Sequence, residues 1–156
     1  MARFRILAIV GALVGALVLA FPALASPPIT GSGTGLVTSI TTTSSRSAGP
    51  NVIEERDVAG TISGDLNGTF TEHVRGVIHK DGLLTLQGTL TFTGTIEGCG
   101  SGMVTLGVSG RRASAADVIV SNVRVIHSAS SSIAVSGVGT VFQDGPFLTY
   151  DVRYHC

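Results

Sequence analysis

Leu84-Thr85-Leu86-Gln87-Gly88-Thr89-Leu90-Thr91-Phe92-Thr93-Gly94-Thr95-Ile96 decides the fold. Its even positions are apolar or glycine and its odd positions are threonine or glutamine. Strict alternation of this kind gives a strand with one dry and one wet face. The segment before it repeats the pattern. Leu66, Gly68, Phe70, Val74, Gly76 and Ile78 share one face, and Asn67, Thr69, Thr71, His73 and Arg75 share the other. Two such strands need a packed or closed β core.

Working outward, eight candidate strands cover about 35–44, 51–62, 66–79, 83–97, 102–109, 116–127, 132–143 and 146–155. The breaks between them are turn formers such as Ala48-Gly49-Pro50, Lys80-Asp81-Gly82 and Asp144-Gly145-Pro146. No segment beyond residue 25 has helical period. Lys80-Asp81-Gly82 fits a three-residue hairpin loop with Gly82 in the left-handed position. His79 then faces Leu83, Phe70 faces Phe92, Leu66 faces Ile96, and Gly68 faces Gly94. Ser63-Gly64-Asp65 fits a second such loop. It sets Val58 opposite Phe70, Gly60 opposite Gly68, and Arg56 opposite Glu72.

Gly-Thr-apolar recurs at Gly60, Gly68, Gly88, Gly94 and Gly139. Inward glycines at matched heights suit a sheet that coils tightly. The expected fold is an all-β, eight-stranded antiparallel barrel, calycin-like, with almost no helix; an open sandwich is the alternative. A barrel of this size is filled by side chains or holds one small ligand.

The chain begins Met1-Ala2-Arg3-Phe4-Arg5, runs apolar from Ile6 to Phe21, and continues Pro22-Ala23-Leu24-Ala25. Basic start, apolar run and Ala-x-Ala describe a secretory signal peptide cut after Ala25. An uncleaved anchor is the competing reading, but the run is short of the ~20 residues a span needs. The expected organisation is signal peptide 1–25, flexible Pro/Gly/Ser-rich lead-in 26–35, and one barrel domain 36–156. Loss of Arg3 and Arg5 leaves eight Lys+Arg against ten Asp+Glu. Such a balance lacks the basic footprint of a nucleic-acid binder. The expected location is extracytoplasmic, with no membrane association once the signal is gone.

Export bears on Cys99 and Cys156, the whole cysteine inventory. An oxidising compartment favours a bond between them. Geometry opposes it: both fall at one rim of an up-and-down barrel, but on opposite sides. The balance leans to a bond; a reactive Cys99 thiol is the alternative.

The run Arg75-Gly76-Val77-Ile78, the Asp81-Gly82 turn and Gly88-Thr89-Leu90-Thr91-Phe92-Thr93-Gly94-Thr95 resemble small exported bacterial proteins of unknown function. Those proteins are grouped with the allene oxide cyclase and dirigent barrels. The resemblance, over about residues 33–145, implies an eight-stranded barrel that is often oligomeric. It brings no cyclase motif and assigns no reaction.

One cluster carries candidate chemistry. Glu54, Arg56 and Glu72 fall on the dry face with Phe70 and Phe92. Charges there are costly unless paired. They form either a polar patch in an apolar ligand pocket, or a structural ion pair, or a group at an uncovered strand end. As a ligand site, Arg56 holds an acidic group and a glutamate acts as acid or base. The histidines do not converge: His73 and His79 lie roughly 20 Å apart along one strand. No metal and no cofactor are expected. Gly31-Ser32-Gly33-Thr34-Gly35 precedes a strand rather than a helix, so it lacks phosphate-loop geometry. Asn67-Gly68-Thr69 is a glycosylation sequon for which no glycan is expected. The strands near 119–126 and 147–154 carry apolar bulk on both faces, which points to a covered outer surface and a homo-oligomer.

Three function classes follow. The leading one is a non-catalytic barrel that binds a small apolar ligand or itself. The others are an isomerase or cyclase that uses the interior Glu and Arg residues, and a structural or surface protein. An enzyme is not favoured.

Overall fold

A computed structural model describes residues 27–126 and 131–156. The signal-peptide reading of residues 1–25 and His127 lie outside the described residues. The elements are β1 (Ile29–Ala48), β2 (Asn51–Gly64), β3 (Leu66–Ile78), β4 (Leu84–Ile96), β5 (Gly100–Arg112), β6 (Ile119–Val125), β7 (Ser136–Asp144) and β8 (Phe147–His155). They close into one barrel in sequence order, every neighbour antiparallel. The described residues are all-β, as the alternation predicts.

The central hairpin has the register read from the sequence. Phe70 pairs with Phe92, Leu66 with Ile96 and Gly68 with Gly94. The His79 amide donates to Leu83 O at 2.8 Å, and Gly82 has φ +87°.

Residues 29–35 are a correction. They are not a flexible lead-in: Ile29–Leu36 pair with β8 from Tyr154 to Phe147 and close the barrel. Glycines at 31, 33 and 35 hide the pattern, because a strand face without side chains shows no apolar period. Beyond Leu36, β1 keeps pairing with β2 to Ala48 but leaves β8 behind, and register shifts occur at Val37/Ser39 and Thr42/Ser44.

The β2–β3 register is also corrected. Gly60 pairs with Phe70, Val58 with Glu72, and Arg56 with Val74. This is two residues away from the three-residue-loop reading, with the same residues still facing inward. Tyr150 of β8 supplies the reason. Its phenol accepts the Leu66 amide at 2.9 Å and lies within donating distance of Ser63 O and Leu66 O, at 3.3 and 3.2 Å. It thus occupies the gap where a tighter turn would have closed the ladder. Asp65 is held from two sides. Its amide donates to Ser32 O at 3.1 Å, and its carbonyl accepts the Glu97 amide at 2.9 Å.

The two ends of the barrel differ. At the end holding the 64–66 and 97–99 connections, inward positions are largely glycine. A Cβ on Gly68 would lie 2.2 Å from Thr93 O, and one on Gly94 would lie 2.2 Å from Asn67 O. The walls therefore close on each other there. Ile133 and Val135 fill what remains, packed with Phe92, Ile96, Val104 and Tyr154. Gly94→Ala is expected to lower stability by about 3 kcal/mol, since a backbone oxygen cannot step aside. Gly76→Ala, whose Cβ would lie 3.2 Å from the tip of Leu84 and 3.9 Å from Thr85 O, should cost far less. Urea unfolding midpoints of the two variants test the contrast.

The collapse of this end also joins the cysteines. The Tyr154 hydroxyl donates to Glu97 O at 2.8 Å, which draws the end of β8 to the β4–β5 turn. Cys99 and Cys156 form a disulfide with Cα atoms 5.2 Å apart. The expected separation across an open rim does not exist because the rim is not open.

Candidate functional site

At the other end the inward residues carry side chains, and they enclose a cavity of about 140 Å³. Alternation places its lining. β3 contributes Phe70, Glu72 and Val74, β4 contributes Leu86, Leu90 and Phe92, and β2 contributes Glu54, Arg56 and Val58. Leu106, Val108, Val123, Val141 and Val152 form the far wall. All five residues singled out in the sequence, Glu54, Arg56, Phe70, Glu72 and Phe92, border this one space.

Their mutual arrangement departs from the expected one. Arg56 does not sit opposite Glu72. It is held by Glu54, two residues before it on the same face of β2. Its Nε donates to Glu54 Oε2 at 2.9 Å, and its Nη2 bonds the same oxygen. The two side chains are 39% and 19% exposed, so water reaches the pair and it marks the cavity mouth. Solvent screening there keeps its net worth small.

Glu72 is deeper and differently placed. Its cross-strand partners are Val58 and Leu90, both apolar. It makes no hydrogen bond or ion pair among the described residues. Burial alone raises its carboxyl from the ordinary 4.5 to about 7. A carboxylate in apolar surroundings gives up part of its hydration and receives no hydrogen bond in return, so the neutral form is favoured.

This has a consequence for stability. Because the folded-state value is raised, the folded protein holds a proton on Glu72 that the unfolded chain releases. The stabilisation is fully present below pH 4.5 and is lost as pH rises through about 7. Glu72→Gln keeps the shape without the titration. Wild-type stability relative to Glu72→Gln is therefore expected to fall by ~3 kcal/mol over that window. Urea unfolding of both proteins from about pH 4 to pH 8 checks it, and parallel curves would count against a desolvated carboxyl.

The remaining candidates lie elsewhere. His73 is on the outer face, where its Nδ1 is 2.7 Å from Asp57 Oδ1; that hydrogen bond raises its pKa. Among the described residues no three His, Cys, Asp or Glu side chains are grouped as a metal site. Cys99 is in the disulfide and not a reactive thiol. The sequence reading missed Tyr150 as an interior polar group. Its signal was present: an inward tyrosine facing the glycines of a neighbouring strand. Burial holds its phenol above the ordinary value.

The comparisons with known proteins bear on the fold. No family model matches the chain, and no curated protein matches it. Among solved structures it is similar to a protein of unknown function from the DUF3224 family of Shewanella oneidensis. The TM-score is 0.65 at 13% identity, over 82% of this chain and 97% of that one. Neither sequence comparison supports the grouping with allene oxide cyclase and dirigent barrels. At this identity the likeness concerns architecture alone: the chain shares its barrel with a protein whose own role is unassigned.

Proposed function

We propose that this barrel is an extracytoplasmic, non-catalytic binder of a small, largely apolar molecule held in the cavity beside Glu72. The observation that carries the reading is the asymmetry of the barrel. One end is sealed by glycine-lined walls, Ile133, Val135 and a disulfide, while the other keeps about 140 Å³ between apolar side chains. A dry cavity of about 150 Å³ suffices to bind benzene. A closed disulfide supports an oxidising compartment.

Methyl-labelled protein titrated with toluene tests this. Saturable shifts of the Val58, Val74 and Leu90 methyls are expected, and Val74→Phe should abolish them by filling the space. No saturable shift with toluene in folded wild-type protein would sink the reading. Enzymatic use of the same site, as an isomerase or cyclase, would add turnover of the bound molecule to binding.

A second reading, self-association, has its own observation. Leu36, Phe147, Phe142 and Val120 are exposed on the outer surface of neighbouring strands, Leu36 paired with Phe147 and Val120 with Phe142. Sedimentation equilibrium of wild type against Phe142→Asp distinguishes a homo-oligomer from a monomer.

A further inference from the structure

Four ionisable side chains border the cavity, Glu54, Arg56, Glu72 and Tyr150, and their states are not equivalent. Glu54 and Arg56 neutralise one another at the mouth. Arg56 offers little to an acidic ligand, because both its Nε and its Nη2 already bond Glu54. Glu72 is left without a partner, between Val58 and Leu90. Two residues away on the same strand is Phe70, and Phe92, its cross-strand partner, borders the same space. A half-buried carboxylate between apolar neighbours, with no partner among the described residues, lacks a cation or a strong donor. Aromatic rings beside it add attraction for the same kind of group.

Building on the binding reading above, we infer that the ligand is a lipophilic amine, taken up as its cation with the ammonium on the Glu72 carboxylate and the apolar body among Phe70, Val74, Leu90 and Phe92. An acid would enter a cavity whose only positive charge is engaged. A purely apolar molecule would cover the carboxyl and give it no hydrogen-bond partner. An ammonium offsets the desolvation of Glu72 through a charge-assisted hydrogen bond, provided the carboxyl first loses its proton.

That proton makes binding depend on pH. The other ionisable groups facing the cavity are Glu54 and Arg56 from β2, bound to each other, and the phenol of Tyr150 from β8, held above its ordinary range by burial. Glu72, near 7, is thus the group that changes state across neutrality. The competent fraction of Glu72 rises about tenfold from pH 6 to pH 8, and apparent amine affinity should rise with it.

The test uses a shape-matched series, toluene, benzyl alcohol, benzylamine and benzoate, with calorimetry on wild type and Glu72→Gln at both pH values. Benzylamine is expected to bind at least tenfold more tightly than toluene at pH 8. The preference should shrink about tenfold at pH 6 and disappear in Glu72→Gln. In wild type at pH 6, benzylamine should release close to one proton, read from the dependence of heat on buffer; this arm needs no variant. If toluene binds but benzylamine gains nothing, releases no proton, or keeps its advantage in Glu72→Gln, the amine inference fails and the binding reading stands. Tightest binding of benzoate would likewise overturn it, in favour of Arg56. If none of the four binds, both readings fail together.

Discussion

Loss of the Cys99–Cys156 bond is expected to lower unfolding free energy by about 4 kcal/mol on the chain-entropy account. The cysteines are 57 positions apart, so the bond closes a long loop that holds all of β5, β6, β7 and β8. It also fastens the end of β8 beside the β4–β5 turn, where the Tyr154 hydroxyl bonds Glu97 O. Urea unfolding of Cys99→Ser/Cys156→Ser against oxidised wild type gives the difference directly. Titration of unreduced, unfolded protein should find no free thiol. Two free thiols, or an unchanged midpoint, would remove the bond from the account of stability. Because β1 pairs with β8 through the same region, the first structure lost in the variant should be the Ile29–Leu36 pairing.

Phe92→Ala is expected to cost about 3–5 kcal/mol, the range for truncating a fully buried aromatic. Phe92 is 1% exposed and belongs to the cluster with Ile96, Val104, Ile133, Val135 and Tyr154. It also stands between two spaces. It borders the 140 Å³ cavity on one side and a smaller one of about 40 Å³ near the sealed end on the other. Truncation should therefore do more than destabilise: it joins the spaces and deepens the pocket. If the variant folds, toluene-sized molecules should bind less selectively, and longer ones such as butylbenzene should gain affinity. A stability loss with no change in the ligand sizes accepted would mean that the ring is core only and not the floor of the pocket.

How much of this was legible in the sequence depends on whether local pattern or distant contact made the decision. The β3–β4 hairpin was legible to the residue, because alternation, the Asp81-Gly82 turn and the Phe70/Phe92 pair all agree. The inward face of β2 followed from the same period, whereas β6 and β8 carry apolar side chains on both faces and show no single dry one. The β2–β3 register was not legible: Tyr150, 84 positions after Leu66, takes the backbone groups that a tight turn would have used. That shift moved Arg56 from Glu72 to Glu54, and so changed a paired carboxylate into a lone one. Membership of the site survived, since a two-residue slip keeps every side chain on its own face. The start of β1 was hidden by Gly31, Gly33 and Gly35, which have no side chain to show a period. The cysteine pairing was favoured by the compartment argument, and the geometric objection to it had the same cause, because only the accumulated glycines of several strands reveal that one end collapses.

The long first strand has a consequence for behaviour in concentrated solution. Past Leu36, β1 has among the described residues no further backbone partner on its β8 side except Pro146 O, which accepts the Val37 amide at 2.7 Å. From Ser39 to Ser47 a serine- and threonine-rich edge is left that carries one charge, Arg46. An open ladder edge is a template on which a foreign strand can grow. The interruptions near Thr38 and Thr43 break this one into short pieces, and each threonine hydroxyl is turned back onto the ladder, to Ala59 O at 3.1 Å and Glu55 O at 3.2 Å. An incoming strand would have to follow two changes of step within a few residues. The irregularities of β1 thus act as safeguards against fibre formation, in a region where neither lysine nor proline stands guard.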